Sequence, residues 1–375
     1  MEIMGIPGEQ GIISLNNNQC PDEIYLDDEK IAEGSCSINL ENQGNVTIKL
    51  IWLNPLATLS YMFFQLTNII SVDFSGFDSS KLIDMFQMFE GCNNLKYANL
   101  TNLNTSLVQS MQSMFASCYS LESLDLSNWN TKSVVNMDSM FLFCRSLKIL
   151  NLSGLDTSSV VTMRAMFSGC QSIKSLELSS FDTSLVTDMT SFLADCVSLT
   201  SINLSSFNTS LVTEMNGMFF FCESLTSLNV SNFNTKLVTD MAQMFVRCTL
   251  LTSLDVSNFD TSKVIKMYNM FSECFLLESL DLSNFNTSLV DSMNVMFYGC
   301  HSLVSLDISN FNTSSVKEMR QMFYECYSLI SLDLSNFFTP LVETVEGMFG
   351  RCALITSLNL TGFKTGNIKS LEYIF

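Results

Sequence analysis

The sequence predicts an α/β solenoid in which each 26-residue coil contributes one short parallel strand and one short helix. Three columns of residues recur at this spacing. The first column contains eleven of the thirteen cysteines: Cys92, Cys118, Cys144, Cys170, Cys196, Cys222, Cys248, Cys274, Cys300, Cys326 and Cys352. A second column, of Leu or Ile, runs from Leu124 to Leu358, and a third, of Phe, Leu or Trp, runs from Phe77 to Phe363. Self-similarity of this length is typical of a chain whose coils pack only on their neighbours.

The coil that ends at Cys144 illustrates the predicted elements in order. Leu124 and Leu126 alternate with polar residues, which is the period-two pattern of a short, half-buried strand. A turn rich in Ser and Asn follows, and then Thr131, at the place of a helix N-cap. From Val134 to Cys144 the apolar residues are spaced by 3, 3, 1 and 3 positions, which predicts a short helix.

The two ends of the chain differ from its middle. Residues 1–55 lack the repeat and predict a small β cap with hairpins over residues 23–31 and 36–51, the second around an Asn-Gln-Gly-Asn turn. Residues 56–375 predict a solenoid of about twelve repeats, the last one truncated. The truncation and the absence of a signal peptide predict a piece of a longer protein. Cys20 and Cys36 lie outside the columns, so they pair in an oxidising compartment or stay as buried thiols.

Composition excludes several classes of function. Asp and Glu outnumber Lys and Arg by 37 to 18, and a net charge of −19 disfavours binding to nucleic acid or to an anionic membrane. The one histidine, His301, excludes a His-cluster metal site. The column cysteines lack the close pairs of a thiolate site, so they predict buried core residues, and the methionines beside them are more typical of core than of Cu(I) ligation. We expect no metal site, no cofactor and no enzyme activity.

The repeat unit L-x-x-L-x-L-S-N-F-[ND]-T-S-x-V-x-x-M-x-x-M-F-x-x-C-x-S resembles that of BspA-like leucine-rich-repeat surface proteins. The resemblance covers about residues 56–375. It implies a leucine-rich-repeat-like α/β solenoid, on a cell surface or secreted, that serves attachment or protein binding without catalytic residues. The common leucine-rich repeat places Asn where this chain has its Phe column, which implies aromatic packing in place of a buried Asn ladder.

A first candidate binding surface is the polar position between the two strand leucines, which faces away from the core. Its acidic members are Asp125, Glu177, Asp255, Asp281, Asp307 and Asp333. Stacked carboxylates repel one another. Either a cation such as calcium or a basic partner relieves this repulsion, or solvent and the flanking serine hydroxyls suffice.

A second candidate surface is the variable loop around each column cysteine, which carries aromatic residues that the repeat does not require. These residues are Tyr119, Phe143, Phe220, Phe221, Phe275, Tyr298 and Tyr327. Exposed aromatic side chains are enriched at interfaces, although some of these rings would simply pack on neighbouring coils.

The predicted function is therefore non-enzymatic adhesion or ligand binding at a cell surface or outside the cell. The expected partner is a protein or glycan on another cell or in the matrix. Any signal and anchor lie outside this chain, and no part of it inserts into a membrane. The alternative is a cytoplasmic scaffold for protein–protein interaction, which needs no signal sequence and keeps its thiols reduced.

Overall fold

The computed structural model describes residues 1–5, 8–17, 19–41 and 44–375, which form two compact units. Unit 1 comprises Met1–Asp182 and unit 2 comprises Thr183–Phe375. Twelve strands occur in these ranges, and no helix does. It follows that none of the described residues forms a helix long and apolar enough to cross a membrane.

The longer strands lie in the cap of unit 1, and the coils contribute strands of three to five residues. The strands of unit 1 are β1 Glu2–Gly5, β2 Gly8–Gly11, β3 Glu23–Leu26, β4 Glu29–Glu33, β5 Ser37–Leu40, β6 Gly44–Ile51, β7 Ile69–Asp73, β8 Tyr97–Asn99, β9 Ser123–Asp125 and β10 Ile149–Asn151. Unit 2 contains β11 Ser331–Asp333 and β12 Ser357–Asn359. A six-stranded sheet has the order β4-β3-β6-β1-β7-β8, so cap strands extend the sheet of the first coils.

The cap differs in part from the two predicted hairpins. Strands β3 and β4 pair antiparallel, but β5 pairs with β2, and β6 lies between β3 and β1. Two residues of the predicted second turn, Asn42 and Gln43, fall outside the described residues. Cys20 and Cys36 form a disulfide with their Cα atoms 4.8 Å apart, which is the oxidised alternative.

Within each unit, equivalent residues of successive coils lie beside one another. The parallel strands β9 and β10 pair Leu124 with Leu150, and β11 and β12 pair Leu332 with Leu358. Inside the coils the aromatic rings stack in the same register, with the centroids of Phe115 and, one coil later, its equivalent 5.8 Å apart. The predicted 26-residue stacking of parallel strands is therefore confirmed inside each unit.

The predicted short helix in each coil is wrong. The segment from Met111 to Cys118 is a run of hydrogen-bonded turns whose N–H groups alternate between two kinds of partner. One set bonds three residues back, as the N–H of Met114 does to the carbonyl of Met111 at 3.2 Å. The other set bonds to the next coil, as the N–H of Ser113 does to the carbonyl of Asp138 at 2.8 Å. The α/β class is thus replaced by strands and turns that remain consistent with a leucine-rich-repeat-like fold.

Backbone dihedral angles exclude a helix at the same place. Ser113 and Ser117 have φ values of +53° and +60°, whereas an α-helix needs a φ near −63° at every residue. Left-handed residues recur at equivalent positions in other coils: Ser139, Phe143, Gln243, Arg247, Asn269 and Glu273. Each left-handed residue redirects the next N–H, which leaves alternate donors free to bond to the adjacent coil.

The threonine predicted as an N-cap instead bridges two coils. The Thr131 hydroxyl donates to the carbonyl of Asp156 at 2.8 Å and accepts the N–H of the same residue at 2.8 Å. Thr209 makes the equivalent pair of bonds with Asn234 in unit 2, at 3.0 and 2.7 Å. Both threonines are buried, so the hydroxyl satisfies two backbone groups of the next coil.

The column cysteines lie in the core, as predicted, and each thiol has a hydrogen-bond role. Cys118 is fully buried, and its Sγ–H donates to the carbonyl of Phe89 in the preceding coil at 3.2 Å. In unit 2 the thiol of Cys274 bonds to Phe245 in the same way, and burial raises the pKa of Cys274 to about 12. The column therefore joins coils while its thiols stay protonated.

An asparagine ladder is present, one residue before the Phe column. Asn258 donates from Nδ2 to the carbonyls of Ser231 and Phe233 at 2.9 and 3.0 Å, both one coil earlier. Asn310 reaches the carbonyl of Phe285 at 2.8 Å. Aromatic packing therefore accompanies an Asn ladder in unit 2 and does not replace it.

Candidate functional site

The acidic strand positions are exposed, and each one closes the turn that follows it. Asp255 accepts hydrogen bonds from the N–H and the hydroxyl of Ser257 at 3.0 and 2.6 Å. The other predicted members make the same bond to the N–H two residues on: Asp125, Glu177, Asp281, Asp307 and Asp333. The first role of these side chains is thus to stabilise Asx-type turns.

These local bonds outweigh repulsion along the column. The pKa of Asp255 is below its usual range because the hydroxyl and N–H of Ser257 donate to its carboxylate, and Asp281 opposes this only weakly. No group of three or more His, Cys, Asp or Glu side chains in the described part of the chain is placed to hold a metal ion. Calcium binding at this face stays a prediction, and the serine alternative accounts for the observed contacts.

In unit 1 the predicted aromatic residues Tyr119 and Phe143 flank a single guanidinium group. The Arg145 guanidinium carbon lies 4.7 Å from the ring centroid of Tyr119 and 5.7 Å from that of Phe143. Contacts of this kind are worth about 0.5–1 kcal/mol at exposed sites. The two rings and the arginine therefore form one small cationic and aromatic patch.

In unit 2, Phe220 and Phe221 form a second patch. Their ring centroids are 4.2 Å apart, and the Arg247 guanidinium lies 4.6 Å above the ring of Phe221. Arg247 Nε also approaches carboxylate oxygens of Glu223 at 3.3 Å and Glu273 at 3.4 Å. This arginine is thus held between two carboxylates and one ring.

The largest aromatic group in the described part of unit 2 spans three coils, and we call it the aromatic cluster. It consists of Phe275, Tyr298, His301, Tyr324 and Tyr327. The His301 ring stacks on Phe275 at 4.5 Å and on Tyr327 at 4.7 Å, between centroids. Tyr298 stacks on Tyr324 at 5.4 Å with nearly parallel planes. Three of the seven predicted aromatic residues are thereby brought together, and the other four lie in the two smaller patches.

Charged groups border the aromatic cluster. Arg351 donates to Glu325 at 2.7 Å, and its guanidinium lies 5.7 Å from the ring of Tyr324. The pKa of Arg351 is raised, chiefly by its hydrogen bond with Tyr327. His301 Nε2 is 3.9 Å from Glu325, and this buried nitrogen has no hydrogen-bond partner among the described residues. The cluster therefore presents ring edges, phenol hydroxyls, one carboxylate and one guanidinium together.

Ring stacking also limits what the cluster exposes. Tyr327 is 36% exposed, and His301 covers only one face of its ring. The equivalent position in the next coil is Ala353, which brings no ring to the other face. Tyr327 is therefore the member with a ring face open to a partner, and burial of Tyr298 raises the pKa of its phenol.

The charged members of these patches were not predicted from the sequence, although the repeat register points to them. Arg145 lies 26 residues after Tyr119, and His301 lies 26 residues after Phe275. Arg247 likewise follows Phe221 by 26 residues. Because equivalent residues of adjacent coils lie side by side, the variable columns must be compared between coils to find such contacts.

Comparison with known proteins identifies the family. The family described as "Mycoplasma protein of unknown function, DUF285" matches residues 57–175, 144–228, 220–329 and 277–375. These matches span well over half of the chain. The chain belongs to this family. The BspA-like resemblance is more specific than this match and stays a prediction, and no curated protein matches the chain significantly.

Several solved structures are similar to the chain. A leucine-rich repeat protein from Bacteroides ovatus is 19% identical, covers 78% of this chain and 77% of its own, and has a TM-score of 0.39. A leucine-rich repeat protein of Leptospira interrogans is 13% identical, with 81% coverage of both chains and a TM-score of 0.27. The leucine-rich-repeat ectodomain of an Arabidopsis thaliana receptor kinase, solved with Casparian strip integrity factor 2, is 15% identical over 73% of this chain and 39% of its own, with a TM-score of 0.26.

Proposed function

We propose that this chain is a non-enzymatic repeat protein that binds another protein, on a cell surface or outside the cell, through the aromatic cluster. The observation that carries the proposal is the grouping of Phe275, Tyr298 and Tyr327 beside the ion pair of Glu325 and Arg351. Aromatic residues and arginine are enriched at the centres of protein interfaces. The cluster combines both with hydrogen-bonding groups within one surface.

A protein partner fits this surface better than an enzyme substrate does. His301 is stacked between two rings, and the nearest column thiol, Cys300, is buried and bonded to a backbone carbonyl. Burial also holds the pKa of that thiol well above its usual range. A nucleophile needs an adjacent base and an ionisable thiol or hydroxyl, and neither feature occurs around the described part of this cluster.

Two observations support the extracellular location. The Cys20–Cys36 disulfide is of a kind that persists in oxidising compartments. The resemblance to BspA-like surface proteins points to attachment, and a glycan on the target cell is the second candidate ligand. A cytoplasmic scaffold is the alternative location, and it requires these two cysteines to be reduced.

The experiment is a binding screen on the intact chain with matched variants. The protein is immobilised and probed with purified extracellular matrix proteins by biolayer interferometry, and with a glycan array. For a ligand of the cluster, Tyr327→Ala should weaken affinity at least 30-fold, since interface hot spots cost about 2 kcal/mol or more. Tyr268→Ala, in the same unit but outside the cluster, is the control and should stay within twofold of the parent. Equal loss in both variants, or binding only to glycans, would refute the proposal.

A further inference from the structure

A cavity of about 620 Å³ lies within unit 1, beside the ends of β6 and β7. Its walls include the rings of Trp52, Phe63, Phe74 and Phe77, and the centroids of Trp52 and Phe77 are 5.9 Å apart. Ligand pockets commonly have volumes of roughly 300–1,000 Å³ and mostly apolar walls with a few polar groups. The cavity is distinct from the aromatic cluster, which lies in unit 2.

The cavity continues the line of β1. That strand lies between β6 and β7 and is antiparallel to both, with Glu2 paired to Thr47 on one side and to Ser71 on the other. At its start, the backbone of Met1 exchanges hydrogen bonds of 2.9 and 2.7 Å with Ile48. Past this point β6 and β7 continue, and no described strand lies between them.

Both flanking strands turn backbone groups toward the gap. Alternate residues of a strand direct their N–H and C=O groups to the same side, so Leu50 faces the same side as Ile48. By the same alternation Asp73 faces the gap, as Ser71 faces β1. Strands separated by one missing neighbour are about 9.6 Å apart, which is the width that one added strand fills.

We propose that this cavity is a docking slot for an extended segment of a partner protein, which adds a strand in line with β1 and antiparallel to β6 and β7. Such a strand would bond to Leu50 on one side and Asp73 on the other. Its backbone groups would replace water as partners of two unpaired strand edges. A compact apolar ligand fills the cavity without satisfying those edges.

Side chains around the slot indicate which peptide fits. Ile48 and Val72 are buried on the core side, so a peptide residue opposite Leu50 would place an apolar side chain among them. The adjacent peptide residue would lie on the other face, where Lys49 and Asp73 are exposed. The slot therefore selects a short segment that alternates apolar and polar residues, with little net charge.

Amide exchange measured by NMR on the full chain tests the slot directly. The probe is the peptide acetyl-Ser-Leu-Thr-Ile-Ser-amide, and its dissociation constant comes from the fluorescence of Trp52 in a Trp129→Phe background, which removes the other tryptophan. At a peptide concentration ten times that constant, exchange at Leu50 and Asp73 should slow about tenfold. The amide of Ile48, which is already bonded to Met1, should not change.

Two controls distinguish strand addition from other occupants. A peptide N-methylated at its central residues keeps its side chains but loses backbone donors, so it should not bind. Equal binding of this peptide would overturn the proposal in favour of an apolar cavity ligand. Unchanged exchange with the parent peptide would overturn it, and so would slow exchange at Leu50 and Asp73 in a chain extended before Met1, since the protein would then fill its own slot.

Discussion

Replacing Thr131 with valine tests how adjacent coils are joined. The hydroxyl is buried, and it both donates to and accepts from the backbone of Asp156, at 2.8 Å in each case. Valine has almost the same shape and offers neither hydrogen bond. The substitution therefore leaves the N–H and C=O of Asp156 without their partner and creates almost no cavity.

The expected loss follows from two backbone groups. A neutral hydrogen bond contributes about 1 kcal/mol net, and an unsatisfied buried group costs about 1–3 kcal/mol. Because Asp156 is only partly buried, water compensates in part, and we expect Thr131→Val to lower the free energy of unfolding by about 2–3 kcal/mol. Thr131→Ser keeps the hydroxyl and removes one methyl group, so it should cost only about 1 kcal/mol.

Two measurements read this effect. Urea unfolding followed by circular dichroism gives the change in the free energy of unfolding, and hydrogen exchange gives the protection of the Asp156 amide. Valine should remove most of that protection, and serine should retain it. A Thr131→Val protein as stable as Thr131→Ser, with the Asp156 amide still protected, would refute the assignment of the threonine column as a bridge between coils.

Four further outcomes are expected. Cys144→Ala should lower the free energy of unfolding by about 1–2 kcal/mol, since it removes a buried sulfur and its bond to Phe115, and unchanged urea unfolding would contradict this. Unfolding without reductant should expose eleven thiols to a colorimetric reagent, because Cys20 and Cys36 are paired; thirteen thiols would favour the reducing compartment. The pKa of Asp281 is lowered in the folded state, so the unfolded state binds more protons on acidification; stability should fall as the pH drops from the usual Asp range through the folded pKa, and Asp281→Asn should weaken that dependence in acid titrations of stability. Millimolar calcium should leave the melting temperature unchanged, since each strand carboxylate is bonded to its own turn, and a calcium-dependent rise would establish a cation site.

The stacking of coils was predictable because periodicity reports on contacts between coils. A residue buried against its equivalent 26 positions away must keep a similar size, which explains the stacking of Phe115 on Phe141 and the burial of the column cysteines. The helix was not predictable in this way. Successive turns that bond three residues back bring Met111, Met114 and Cys118 inward at spacings that a helix shares. The two structures differ in where alternate N–H groups bond, and that depends on the neighbouring coil.

The role of Thr131 shows the same limit. A threonine before an apolar periodic segment matches an N-cap, because in both cases the hydroxyl bonds to backbone groups near a change of direction. Here the bonded backbone belongs to Asp156, 25 residues later. Local patterns identify that a side chain serves the backbone, but the identity of that backbone depends on how coils stack.

The candidate binding site depends on this stacking as well. Phe275, His301 and Tyr327 each follow a column cysteine, and each of those cysteines is held by a thiol bond to the preceding coil. The core therefore sets the spacing between coils, and the variable position beside each cysteine inherits it. Rings at that position stack only if three successive coils all carry one, and His301 satisfies the middle place with centroids 4.5 and 4.7 Å from its neighbours. The sequence of one coil is thus insufficient to specify the surface, since each row of the aromatic cluster acquires its contacts only from the rows beside it.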